Sequence, residues 1–134
     1  MTQIPDNVRA FLEEVRFASI ATTNRDGSPH QTALWYELRG DTIVMNTGSA
    51  SKKVRNLKRD PRASVLVVDG KEARHVTLEG SVRLDDSHVQ EDLTALASRY
   101  AGPQAGPGIA ANIAKIPHVS LILSVERIKT FGKI

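Results

Sequence analysis

Glycine-centred turns cut this chain into short strand-favouring runs, and that punctuation confines it to a mainly antiparallel β architecture. Phe17 to Thr23 reads as a first strand. Asn24-Arg25-Asp26-Gly27-Ser28 then carries the Asp-Gly signal of a tight hairpin. His30 to Leu38 follows as a second strand around Trp35 and Tyr36, Gly40-Asp41 turns the chain again, and Thr42 to Thr47 makes a third. Ala63 to Asp69 is a fourth, with Val65, Leu66, Val67 and Val68 in succession, the pattern of a strand buried on both faces or in a closed barrel. His75 to Leu84 alternates, with Val76, Leu78, Val82 and Leu84 on one side, and Gly80 interrupts the apolar row as a bulge or barrel bend would. Ser120 to Phe131 closes the series.

Helical periodicity is confined to the gaps. Val8, Phe11, Leu12 and Val15 mark a short amphipathic helix after Pro5-Asp6, and Val89, Leu93, Leu96, Ala97 and Tyr100 mark a second that should cap the sheet. Lys52 to Asp60 has helical composition before Pro61 stops it. Ala101 to Pro117, rich in Gly, Pro and Ala, allows at most a short helix within a mobile loop. At 134 residues the chain suits one domain, residues 1–134. The expected fold is mainly β (α+β): a six-stranded antiparallel β-barrel with peripheral helices.

Several chemistries are excluded or disfavoured. With no cysteine there are no disulfides, thiolate ligands or cysteine nucleophile, and a reducing compartment is compatible. His30, His75, His88 and His118 show no metal-ligand spacing, so no metal site is expected. Asp85-Asp86 precedes a helix start and suits N-terminal capping better than paired-carboxylate catalysis. No nucleophile-elbow serine or Gly-rich nucleotide loop is present. No apolar run approaches the span of a bilayer and residues 1–15 lack a signal-peptide core, so a cytoplasmic protein is expected.

The charge is strongly local. Between Thr47 and Arg62 the bases Lys52, Lys53, Arg55, Lys58, Arg59 and Arg62 face the single acid Asp60, a net +5 that leaves the rest of a +3 chain at −2. A discrete anion site fits this better than a broad nucleic-acid face, as does an aromatic content of only 4%. Ser49 or Ser51 is a natural N-cap for the helix that follows. Its first amides lack internal partners and carry partial positive charge, so that end can hold a phosphate. Two lysines in the first turn oppose the dipole unless an anion lies between them. On the helical wheel Val54 and Leu57 share the inward face, and Lys52, Arg55, Asn56 and Arg59 take the opposite one. A purely solvated basic face accounts for the same residues equally well.

The stretch from Gly48 to Pro61, with the Asp-Gly hairpin before it and the strand of Trp35 between, resembles the split-barrel flavin-binding superfamily related to pyridoxamine-phosphate oxidase. The resemblance covers most of the chain. Lys53-Val54-Arg55-Asn56-Leu57-Lys58-Arg59-Asp60-Pro61-Arg62 looks like the deazaflavin branch of that superfamily, which uses coenzyme F-420. It implies a split barrel in which Lys53 contacts the cofactor phosphate, with Lys52, Arg55, Asn56 and Ser51 nearby. Met45, Asn46 and Thr47 would line the ring, Trp35 would stand on the neighbouring strand, and His75 would lie near the cofactor edge. Members of this branch often carry an arginine where Ser51 stands and a proline where Ala33 stands.

The resulting expectation is an oxidoreductase in which reduced F-420 gives a hydride to an electron-poor small molecule such as a conjugated carbonyl, quinone or tetrapyrrole. The resemblance also implies a homodimer with the cofactor at its interface. FMN-dependent chemistry, or a haem or cofactor carrier without redox catalysis, is the alternative. A nucleic-acid contact through the basic helix ranks last.

Overall fold

A computed structural model describes residues 2–134. Seven strands form one antiparallel sheet in the order β2-β1-β5-β6-β7-β4-β3. In chain order these are β1 (Ala18–Thr23), β2 (Pro29–Leu34), β3 (Glu37–Arg39), β4 (Thr42–Gly48), β5 (Arg62–Asp69), β6 (Arg74–Asp85) and β7 (His118–Phe131). The helices are α1 (Asp6–Glu13), α2 (Lys52–Arg59), α3 (Val89–Ala101) and α4 (Gly106–Ile113). The sheet curls so that β2 comes beside β4 without pairing with it, which leaves the barrel split along one seam.

The seventh strand arises where the sequence suggested one continuous run from His30 to Leu38. That run breaks at Trp35-Tyr36 because Tyr36 turns into the core, where it is fully buried. Its hydroxyl donates to the Leu12 carbonyl at 2.7 Å, and its amide donates to the Tyr100 hydroxyl at 3.0 Å. Those bonds replace the ladder, and the chain leaves β2 on one edge of the sheet to begin β3 on the other. Trp35 therefore sits at a strand break and not mid-strand.

The hairpin signals behave as expected. Asn24–Ser28 joins β1 to β2 with Gly27 at φ 89°. The β6–β7 register shifts between Glu79 and Gly80, and a Cβ on Gly80 would fall 1.9 Å from the Ser124 carbonyl oxygen, so only glycine fits this bulge. β5 is not buried on both faces. Ala63, Val65 and Val67 fill the barrel, whereas Val68 is 48% exposed on the outer face, the ordinary alternation of a one-sided strand.

The barrel interior holds Ile20, Ile43, Met45, Val65, Val67, Val76, Leu78, Leu121, Leu123 and Val125, closed by Phe11 and Leu12 of α1 and by Val54 and Leu57 of α2. Val15 lies beyond the end of α1 and is exposed. Arg99 of α3 ties α1 down by donating to the carbonyls of Leu12, Glu13 and Glu14 at 3.0–3.1 Å. Residues 101–117 are not a mobile loop: α4 packs on α3 through Ala110, and Gly106 approaches Ser98 too closely for any side chain. Among the described residues no helix is long and apolar enough to cross a membrane.

Candidate functional site

Where β4 ends, Gly48 to Ser51 leads straight into α2, and the local charge is not compensated. The first turn of α2 holds Lys52 and Lys53 and no acid. Ser51 is the N-cap residue, but its side chain makes no capping bond. Its Oγ is buried with no hydrogen-bond partner among the described residues. Lys53 donates to Thr47 Oγ1 at 2.9 Å and pairs with no carboxylate among the described residues. Burial alone holds its ammonium below the usual lysine range. A desolvated cation, an orphaned hydroxyl and free helix amides in one place form a cradle for an anion, because each lacks what an anion supplies. These residues fit the phosphate of a flavin-like cofactor.

The three arginines of the segment are engaged elsewhere. Arg62 makes a two-point pair with Asp60, at 3.0 and 2.8 Å, which with the Arg62 amide holds the Asp60 carboxyl down at about 2. Arg59 reaches the Thr23 carbonyl and Asn56 Oδ1. Arg55 donates to the Ala50 carbonyl at 2.7 Å, bracing the turn before the helix.

Asn56 does not share the outward face. It is 3% exposed and donates to Thr22 Oγ1 and Asn24 Oδ1, both at 3.0 Å, fastening α2 to the β1–β2 hairpin. The ideal wheel misplaced it because a polar residue can face inward when its partners wait there. Met45 is likewise in the barrel core, at 0% exposure, and cannot line a ring on the outer face. Strand alternation puts Asn46 on the opposite face instead.

Asn46 opens onto a cavity of about 300 Å³ on the outside of the seam. Its walls are Phe17, Ala33, Leu34 and Trp35 from the β1–β2 side, Leu93 and Leu96 of α3, Ile113 of α4, and His118 at the start of β7. Trp35 stacks on Tyr100 at 5.0 Å, and Tyr100 lies 5.8 Å from Phe17 with the two rings tilted, so Tyr100 links the two aromatic residues of the wall. α4, the short helix that the sequence allowed in this stretch, and the strand break, which it did not show, complete this wall. The Ile109, Ile113 and Ile116 spacing was the one visible sign of α4.

Thus Asn46, Thr47, Ser51, Lys52 and Lys53 follow one another along β4 and into α2, and Trp35 faces Asn46 across the seam. His75 is not brought to them. It lies at the far end of β6 opposite Phe131, eleven positions along β7 from the Ser120 that pairs with Asn46, roughly 36 Å of extended strand. Its ring stacks on Phe131 at 5.0 Å, and its Nδ1 is buried without a partner.

The Asp85 carboxylate does not cap α3, whose N-cap residue His88 makes no side-chain capping bond. Asp85 accepts from the Ser87 hydroxyl at 2.6 Å and the Ser87 amide at 2.9 Å, bracing the turn before the helix. No cluster of His, Cys, Asp and Glu able to hold a metal occurs among the described residues.

The family model described as pyridoxamine 5'-phosphate oxidase matches residues 4–132. Among solved structures, the conserved hypothetical protein Rv2991 from Mycobacterium tuberculosis is 28% identical with a TM-score of 0.80, covering 98% of this chain and 86% of its own. A protein described as an F-420 reductase is 23% identical with a TM-score of 0.80, covering 94% and 98%. A haem-binding protein from Mycobacterium smegmatis shares the fold at 22% identity and a TM-score of 0.69, covering 98% of this chain and 56% of its own. The split barrel, its strand order and a family match spanning nearly the whole chain agree: this chain belongs to the pyridoxamine 5'-phosphate oxidase family.

Proposed function

We propose that this chain is an oxidoreductase that takes reduced coenzyme F-420 as hydride donor to an electron-poor small molecule. The observation that carries the reading is an anion cradle at the start of α2 together with an apolar cavity that opens at Asn46, on the β4 strand leading into that helix. The solved F-420 reductase has the same fold, which supports the reading without assigning the cofactor.

On this reading Lys53, held by Thr47, is the main phosphate contact, with the Ser51 hydroxyl and the α2 amides completing the shell and Lys52 adding a more exposed charge. Arg55 supports the turn through Ala50 and keeps part of its guanidinium free. Asn46 and Trp35 border the ring, and Asn56 holds the helix that carries the cradle. Bound F-420 would supply the hydride, and the protein's part is to orient the two reactants and exclude water beneath α3 and α4.

FMN carries a phosphate on a similar ring, which the same cradle could hold, so it is the second reading. Titrating the protein with F-420 and with FMN, and repeating with Lys53→Ala, separates them. Failure of both to bind more tightly than about 1 µM rejects the reading, and binding of FMN alone replaces the cofactor.

We further propose a cytoplasmic homodimer. The outer-face strip of exposed Val68, His75 and exposed Phe131, aligned across β5, β6 and β7, is the candidate contact. Light scattering on the wild type and on Phe131→Glu tests it, and a wild-type monomer at micromolar concentration rejects it.

A further inference from the structure

The barrel turns polar at the end that α2 covers. Along the inner face of β1 the buried side chains run Ala18, Ile20, Thr22, and along β4 they run Ile43, Met45, Thr47. The residues of β2 paired with the β1 set run Leu34, Thr32, His30. In all three strands the inward position nearest α2 is polar.

α2 crosses this end with its two flanks turned opposite ways. Val54 and Lys58 border a pocket with Leu84 and Val119, so that flank faces β6 and β7. The other flank carries Lys53 and Asn56, one turn apart, which donate to Thr47 on β4 and to Thr22 on β1. β2 pairs with β1 and lies beside β4 across the seam, so the strand between these two tie points is β2. Its inward side chains there are His30 and Thr32. His30 is the direct cross-strand neighbour of Thr22, with Cβ atoms about 5 Å apart. Lys53 stands one turn, about 5 Å, along the helix from the Asn56 that binds Thr22.

α2 satisfies Thr22 and Thr47 but not the two groups on β2. Thr32 Oγ1 is buried with no hydrogen-bond partner among the described residues, as is Ser51 Oγ. No carboxylate pairs with the half-buried His30 among the described residues. Each of these side chains can donate a hydrogen bond, and Lys53 adds a charge, so what the space between them lacks is an anionic acceptor.

We propose that His30 and Thr32 form a further wall of the anion cradle, His30 donating from its imidazole to the cofactor phosphate and Thr32 from its hydroxyl. This rests on the phosphate-binding reading above and is independent of which ring the phosphate carries. It widens the site from a helix end to a cleft between α2 and β2. Because Ala33, between these two residues, points outward and lines the cavity beside Asn46, one strand serves both ends of the cofactor.

Inorganic phosphate supplies the anion alone, and riboflavin is FMN without its phosphate. The His30 ring C–H signals, identified by their absence from His30→Ala, would be followed by NMR as phosphate is added. Expected is a shift of His30, with His75 at the far end of β6 unmoved. His30→Ala should weaken phosphate, and whichever of F-420 and FMN binds the wild type, by about ten-fold, and riboflavin by less than about two-fold. Thr32→Val should cost about three- to five-fold on the phosphorylated ligands, and His30→Lys, which keeps a cationic donor, should recover most of the affinity lost in His30→Ala. Amide-spectrum dispersion confirms that each variant folds, and the wild-type shift needs no variant to fold. A His30 signal that phosphate leaves in place, or equal losses of phosphorylated ligand and riboflavin in His30→Ala, overturns the proposal. If phosphate moves His30 while neither F-420 nor FMN binds, the wall stands and the cofactor reading falls. If a cofactor binds and His30 stays unmoved, this inference alone falls.

Discussion

The starts of α2 and α3 are built from opposite charges. Glu91 and Asp92 stand in the first turn of α3. The dipole there meets carboxylates supplied by the chain itself, and Asp92 is paired in turn with Arg39 at 2.8 Å. Ahead of that turn the Ser87 hydroxyl, more than its amide or His88, holds the Asp85 carboxyl far below the ordinary carboxylate range. The start of α2 has two lysines, no acid and a serine hydroxyl with nothing to bind. One helix end is neutralised from within; the other has no acid in its first turn. A basic run therefore becomes evidence of a site only when its neighbourhood withholds the counter-charges that the same protein supplies elsewhere.

Removing Lys53 should produce the largest difference between the two ends. Lys53→Ala is expected to weaken binding of the phosphorylated cofactor by about 30- to 100-fold, measured by fluorescence titration, whereas Asp92→Ala should leave that affinity unchanged. Comparable losses in both would erase the distinction.

Asn56→Leu should cost about 2 kcal/mol in urea unfolding, because Thr22 and Asn24 lose their donor in a buried site. On the other helix, Asp92→Ala is expected to cost about 1–2 kcal/mol. It removes a carboxylate that is 3% exposed, but Arg39 is half-exposed and regains water.

The pH dependence sharpens the contrast. Burial lowers the pKa of Lys53 in the fold, so in the window between that value and 10.5 the unfolded chain binds more protons and stability rises with pH. Cofactor affinity should move the other way, falling as Lys53 loses its charge, and at lower pH than an ordinary lysine would. Lys53→Arg, which stays charged, should abolish the fall, and a profile identical to wild type would show that Lys53 is not the group responsible.

The smallest effect is at Lys52. Lys52→Glu should stabilise the free protein by about 0.3–1 kcal/mol, by giving α2 the kind of first turn α3 already has, while weakening the cofactor. Thermal melts with and without cofactor would read both signs.

Strand positions, both hairpin turns and the Gly80 bulge were legible because each is written in two or three neighbouring residues. So was the basic start of α2, since charge density and the Ser-Lys-Lys order need no third dimension. The break at Tyr36 was not, because it depends on the Leu12 carbonyl and the Tyr100 hydroxyl, far away in sequence. Asn56 and Met45 were misread for a related reason: an ideal wheel or a motif fixes spacing, but only the partners at Thr22 and Asn24, or the barrel wall, decide which way a side chain faces.

By itself, then, the sequence determined an antiparallel barrel with a basic helix start following its β4 strand, since local patterns of hydrophobicity, turns and charge are sufficient for that. Tertiary structure alone decided that Ser51 would lack a partner, that Lys53 would be desolvated, that His75 would lie far off, and that α3 and α4 would wall a small apolar cavity around Asn46. Burial and the absence of a partner are properties of everything that surrounds an atom, and no stretch of neighbouring residues contains them.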